Sequence, residues 1–361
     1  MAHSNHRIGI VGAGTSGVYL ASLLSRQGFQ VSLFEKSPQL RTDGCGILLV
    51  QAGMEALQAG SPEACSAIIA AGAPVKLFEF RNLRGDVFNA EPVSYAEKEL
   101  PGMLVHRKPI LEALLAEVPQ SCLRFGAELE SVSQTPESVV AHFSNGQHWE
   151  GDLLVGADGI LSKVRHFVVP GVNLYYLGDL VWRGVVADST FCPDGTFLVY
   201  ARGRGIYANF FDIGDDRTHW GFFIEKNQLP HEQGILVPSD TDIPPQELAK
   251  LPDDARAIIE ATPPEQIVSR YSYDIDPLPQ LYSGRVLLIG DAAHAKSPSR
   301  ARGMTSGFED ALALARYLGE GDSIAGVLAD YQAERMPIVH EYQRTSREIS
   351  RKIGRSHRQA A

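Results

Sequence analysis

The chain has no apolar run approaching the ~20 residues that a membrane-spanning helix needs. It reaches its first apolar strand within about six residues and shows no apolar leader pattern before it. Cysteine is scarce: Cys45, Cys65, Cys122 and Cys192 are scattered, with no CxxC pair. That spacing argues against a disulfide framework and for reduced, structural thiols. Eleven histidines form no HExxH or other close ligand pair, so no metal site is expected. Positive charge is also in deficit. The formal net charge of −10 argues against a general nucleic-acid binder. Internal repeats and low-complexity tracts are missing. What remains is an ordinary globular composition, 44% hydrophobic and 21% charged in 361 residues, which suggests about two domains. The expectation is a soluble cytoplasmic protein, monomeric or homodimeric, that works on a small molecule.

The most informative stretch runs from Arg7 to Lys36. A short apolar run, Ile8 to Val11, is followed by Gly12, Gly14 and Gly17, then by a helical pattern that Gly28 stops. A second apolar run, Val31 to Phe34, ends on Glu35. This spacing predicts a strand–helix–strand unit with a phosphate-binding turn. Gly12 permits the tight turn, Gly14 lets the backbone approach a pyrophosphate, and Gly17 allows close helix–strand packing. Thr15 and Ser16 open the helix, whose free N–H groups favour an anion. Glu35, with Lys36 beside it, lies 18 residues after Gly17 (35 − 17), where a carboxylate can bind a ribose hydroxyl.

Helices are expected over Gln51–Ala59, Pro62–Ala71 and Pro109–Val118, the last with its proline at the first position. Strands are expected over Val75–Phe80, Glu128–Ser133, Ser138–Phe143 and His148–Glu150, with a hairpin turn at Asn145-Gly146. A β-rich region follows, with antiparallel strands over Thr196–Tyr200, Ile206–Phe211 and His219–Ile224. Asp253–Ala261 reads as a helix. A long helical region closes the chain, kinked or broken at Pro337.

Two further motifs follow apolar strands. Leu153–Val155 runs into Gly156-Ala157-Asp158-Gly159, followed by Ser162 and Arg165. Val286–Ile289 runs into Gly290-Asp291-Ala292-Ala293-His294, followed by Pro298, Gly303 and Asp310. Each sits at a strand's carboxyl end, where ligands bind in open α/β sheets.

Together the three motifs resemble the class A flavoprotein monooxygenases, the group of para-hydroxybenzoate hydroxylase, over nearly the whole chain. The resemblance implies an α/β fold: a Rossmann-like FAD-binding domain (1–75, 102–175 and 275–361), a β-sheet substrate domain (76–101 and 176–274) and C-terminal helices. It implies that Gly12, Gly14, Gly17 and Glu35 bind the ADP half of FAD, with Thr15, Ser16 and Lys36 beside them. Arg107 would contact the FAD, and Asp158 and Gly159 would serve both FAD and NAD(P)H. Asp291 would bind the ribityl chain. Pro298, Gly303, Met304 and Thr305 would lie near the flavin ring, and Tyr331 and Arg335 match a later YxxxR pattern. The implied activity is hydroxylation or epoxidation of a small aromatic or polyene-type substrate. NADPH or NADH would reduce FAD, and O2 would add to it as a C4a-hydroperoxide.

The chain departs from the family around the ring. Where the family reads glycine, glutamine, glycine and then asparagine, this sequence has Ala301, Arg302, Gly303 and Thr305. Arg302 is therefore a candidate for raising the flavin's reduction potential or seating an anionic ligand. Gly303 and Met304 offer helix N–H groups to the reduced ring, and Ser306 with Glu309 fits a capping box. Period two nominates Tyr207 and Asn209 on one strand, and Trp220 on the next, for the substrate face. Arg202 and Arg204 are candidates for binding an anionic substrate. Other readings remain open at this point: a flavin oxidase or reductase, a halogenase, although no WxWxIP motif is present, or a non-catalytic FAD-binding protein.

Overall fold

The computed structural model describes residues 6–39, 45–201, 205–226 and 242–351. The expected Arg202 and Arg204 lie outside these residues.

The first sheet has six strands. In spatial order they are Tyr282–Ser283, Val286–Leu288, Leu153–Gly156, Arg7–Val11, Gln30–Glu35 and Leu123–Phe125. All neighbours pair in parallel except the short Tyr282–Ser283 edge. Continuous apolar runs suit strands covered on both faces, and Ile8, Ile10, Leu33, Leu154 and Leu287 are fully buried. Helices Thr15–Arg26 and Gly303–Glu320 pack together, with Tyr19 edge-on to Phe308 at 5.2 Å between ring centroids. A three-stranded antiparallel sheet, Leu129–Gln134, Val139–Phe143 and His148–Gly151, packs alongside. There Phe34 stacks on Phe143 at 4.4 Å. The hairpin turn falls at Gly146, whose φ of 80° is the left-handed backbone that Asn-Gly predicts.

The second sheet has seven strands, in the order Val268–Ile275, Leu174–Val186, Thr218–Glu225, Ile206–Asp212, Thr196–Ala201, Leu77–Arg81 and Val87–Pro92. One face buries Trp182, Phe210, Trp220 and Phe222 in a core with Ala255 and Ile259 of the helix Asp253–Glu260. The opposite face carries Tyr207, Asn209 and Phe211. His219, on that face, accepts a hydrogen bond at Nδ1 from the Gly46 N–H (3.1 Å), joining the sheet to strand Gly46–Leu49. Burial, reinforced by Arg183 and His106, pushes this imidazole down to about 3, so it stays a neutral acceptor.

Trp220 does not belong with Tyr207 and Asn209. In register, Asn209 faces Gly221, Tyr207 faces Phe223, and Trp220 faces Phe210. Directly opposed residues share a face, so Trp220 points into the other core, where its Nε1 donates to Thr262 Oγ1 at 2.7 Å. Period two identified two faces but not which one is covered. Three local expectations also change. The helix at 107 starts at Arg107, capped by His106, which puts Pro109 at its third position. The last helix, Ile324–Ser350, runs unbroken through Pro337, anchored on both sides by buried Tyr331, Arg335, Val339 and Gln343. Ser306 lies inside the helix that starts at Gly303, its hydroxyl buried without a partner, while Glu309 pairs with Arg335; no capping box forms.

Candidate active site

The parallel strands end at a groove of about 240 Å³. Gly12, Gly14, Glu35, Lys36, Arg107, Asp158, Gly159 and Lys163 are among the residues that line it. Seven of the sequence-nominated residues thus meet at one place. Gly12 has φ 107°, and a Cβ there would lie 2.4 Å from the Ala157 oxygen. A Cβ on Gly17 would lie 2.0 Å from the Gly12 oxygen. Both positions therefore require glycine. Around Gly14 the space is open, the nearest atom being Arg107 Nη2 at 3.9 Å from an ideal Cβ. The helix that follows has no side-chain cap, so its first N–H groups are available to an anion. Glu35 accepts from the Ala13 N–H (3.1 Å) and the Ser37 N–H (2.9 Å), which fixes the carboxylate beside the glycine turn. These features fit a dinucleotide whose pyrophosphate lies across the helix start.

Asp158 is tied up locally. Its carboxylate accepts from Ser162 Oγ (2.5 Å) and from the N–H groups of Lys163 (2.8 Å) and Val164 (3.2 Å). Burial outweighs those bonds and raises its pKa. Buried Arg165 reaches from the same segment to the carbonyls of Asp291 (3.4 Å) and Ala292 (3.1 Å). The second motif is thereby clamped to the third. The Asp291 side chain is exposed at the start of the short helix Asp291–His294.

A second cavity, about 640 Å³, separates the seven-stranded sheet from the segment Ser297–Ala301. Its wall includes Phe78, Phe80, Phe197, Tyr207, Asn209 and Phe223. Tyr207 sits edge-on to Phe223 at 5.2 Å. The Asn209 amide lies over Gly221, where an added Cβ would come within 3.0 Å of its Oδ1. Leu48 and Val50 close one side, and Ile349 and Ser350 of the last helix another. None of these four carries a motif signal; on the sheet wall the cue is the period-two alternation that nominates Tyr207 and Asn209.

Pro298 and Ala301 line this cavity; Arg302, Gly303, Met304 and Thr305 are not among its lining residues. Ala301 adopts a left-handed backbone, φ 52° and ψ 29°, which accounts for glycine being usual there. Arg302 turns toward the last helix. Its guanidinium lies 4.8 Å above the Tyr342 ring and 3.5 Å from Glu309 Oε1. Gly303 faces open space and begins an 18-residue helix with no side-chain cap. Among the described residues no helix is long and apolar enough to cross a membrane, and no cluster of metal-ligating side chains occurs.

Comparison with known proteins agrees with this geometry. A family model described as "FAD binding domain" matches residues 5–203 and 239–346. Aurachin C monooxygenase/isomerase of Stigmatella aurantiaca is 30% identical over 335 residues, covering 92% of this chain and 86% of that relative. Salicylate hydroxylase of Pseudomonas putida is 30% identical over 384 aligned residues, covering 94% of this chain and 84% of the relative. The crystal structure of Klebsiella pneumoniae HpxO complexed with FAD and uric acid has the same fold, with a TM-score of 0.84 at 22% identity, covering 96% of this chain and 88% of that one.

Proposed function

Because the chain belongs to the FAD-binding-domain family of flavoprotein monooxygenases, we propose that it hydroxylates an aromatic substrate seated in the cavity between the seven-stranded sheet and Ser297–Ala301. The observation that carries this reading is the cavity itself. It is walled by aromatic side chains on one side and by the segment after the third motif on the other. The enzyme is an FAD-dependent monooxygenase that uses NADPH or NADH and O2.

On this reading Gly12, Gly14, Thr15, Ser16 and Gly17 hold the pyrophosphate, Glu35 and Lys36 the adenosine ribose, and Arg107 the phosphates from across the groove. Asp158 and Gly159 shape the groove wall, and Asp291 takes the ribityl hydroxyls. Pro298, Gly303, Met304 and Thr305 meet the ring. FAD supplies the redox and oxygen chemistry when bound. The protein positions the substrate and keeps water away. Phe78, Phe80, Phe197 and Phe223 provide a dry, flat slot for an aromatic ring. Tyr207 and Asn209 supply the polar groups that fix its orientation. The uncapped N–H groups at Gly303 and Met304 would be available to stabilise negative charge on the bound flavin.

The FAD-binding part would comprise 1–75, 102–175 and 275–361, and the substrate part 76–101 and 176–274. The two separate sheets support this division. A cytoplasmic location and a monomer or homodimer complete the proposal. The test is ligand-stimulated NAD(P)H oxidation by the holoenzyme across a panel of phenols and N-heteroaromatics. Stimulation that disappears in Tyr207→Ala or Phe223→Ala, with FAD retained, supports the cavity. Stimulation that both variants leave unchanged refutes it.

A further inference from the structure

The charges around the cavity between the seven-stranded sheet and Ser297–Ala301 are unevenly placed. Asp179, Glu225 and Glu91 line it, and Arg300 is the one basic side chain among the described lining residues. Arg300 is exposed, and its Nη1 donates to Thr345 Oγ1 on the last helix at 2.9 Å. Asp179 and Glu225 are half-buried register partners on adjacent antiparallel strands, so their side chains stand on one face of the sheet. Exposed Glu91 opposes Phe78 on the edge strand at the other side. Carboxylates therefore flank the sheet wall. Arg183 shares this face, in register with Gly221 and Asn209. Its guanidinium lies 5.7 Å from the centroid of the Phe223 ring, and it is not a lining residue.

The centre of the wall is polar but uncharged. Tyr207 and Asn209 lie there on one strand, among Phe78, Phe80, Phe197 and Phe223. Burial raises the pKa of the Tyr207 phenol, against the pull of the Asn209 amide beside it, so the hydroxyl keeps its proton near neutral pH. Asn209 Oδ1 is buried and has no hydrogen-bond partner among the described residues. Turning the amide over exchanges oxygen for nitrogen but still leaves one end without a protein partner. A neutral phenol and an amide recognise N–H, O–H and C=O groups. They supply no counter-charge. A carboxylate entering here would give up its hydration without a cation to replace it, and would stand near carboxylates of its own sign.

We propose that this cavity selects an uncharged aromatic substrate, one that presents an N–H, O–H or C=O group to Asn209 and Tyr207, and rejects ring carboxylates. The inference rests on the reading of the cavity as the substrate site. Asn209 contributes to the choice by hydrogen bonding, and Asp179 and Glu225 by repulsion. Discrimination between two similar ligands is a difference of affinities, to which a repulsive element contributes as much as an attractive one.

The test is titration of the oxidised holoenzyme, near neutral pH and at low salt, with matched pairs of hydroxyarene carboxamides and carboxylates built on one ring or two fused rings. Binding is followed by the change in flavin absorbance. Each carboxamide should bind at least about tenfold more tightly than its carboxylate. In the double variant Asp179→Asn, Glu225→Gln that preference should shrink at least about threefold, mostly through tighter carboxylate binding. Asn209→Leu should weaken carboxamide binding about tenfold with FAD retained. Carboxylates that bind as tightly as their carboxamides overturn the inference, as does a preference that the double variant leaves unchanged. If the double variant does not fold, salt decides: screening should narrow the parent's preference, and a preference independent of salt overturns the inference. Binding of neither series to the FAD-loaded protein overturns the reading of the cavity as an aromatic site, and not only its charge preference.

Discussion

Arg335 Nε, on the last helix, donates to Oδ1 of Asp310 on the helix before it at 2.9 Å, and both side chains are buried. The contact spans 25 residues of sequence. Burial alone would raise the Asp310 pKa, but His294, Arg335 and the Gly290 N–H outweigh it and hold the group well below the usual carboxylate range. Breaking the pair from one side leaves a buried charge. Arg335→Leu should therefore cost about 3–5 kcal/mol of stability, seen as a large drop in thermal midpoint.

The same pair sets a pH dependence. A carboxylate with a depressed folded pKa contributes stability that is complete above its unfolded value near 3.9 and is lost as pH falls through the folded one. Acid unfolding of the parent should include this loss below about pH 4. Asp310→Asn should remove that part of the slope. A parallel acid limb in the two proteins would contradict the assignment.

Gly12→Ala places a Cβ 2.4 Å from a backbone oxygen, on a residue with φ 107°. Neither atom can move cheaply. The variant should lose most of its bound flavin and melt earlier, measured as the flavin-to-protein ratio after purification and by thermal denaturation.

Ala301 holds a left-handed conformation with φ 52°. An L-residue pays roughly 1–2 kcal/mol for this, offset in part by the entropy that glycine would lose. Ala301→Gly should accordingly be neutral or stabilising by up to about 1 kcal/mol. Denaturant unfolding checks the sign.

Arg302→Gln removes a guanidinium held by Glu309 and Tyr342 one residue before the uncapped helix start at Gly303. Loss of that charge should lower the flavin midpoint potential. An unchanged potential would assign the side chain to packing alone.

The sequence reveals the first sheet well for a physical reason. Fully buried parallel strands are continuous apolar runs, and glycines that cannot be replaced mark the turns between them. The groove around Gly12, Glu35 and Asp158 was legible because each residue follows such a strand. The cavity was only half legible. Alternation placed Tyr207 and Asn209 on one face, but the face that meets Ser297–Ala301 is decided by what packs on the other side, and Trp220 went with the helix at 253–260. Nor could spacing reveal that Glu309 pairs with Arg335 rather than capping its own helix, or that Lys296 is buried against His294. These contacts join segments far apart in sequence or depend on burial that no local pattern encodes.

The proposed reaction transfers one oxygen atom from O2 to an aromatic ring. Its most direct measurement is single-turnover reaction of the reduced holoenzyme with heavy-isotope O2 in the presence of ring compounds that stimulate NAD(P)H oxidation, with products analysed by mass spectrometry. One heavy oxygen atom should appear in the ring product for each reduced flavin reoxidised in the coupled reaction. Unlabelled ring compounds, with every reducing equivalent recovered as hydrogen peroxide, would contradict it.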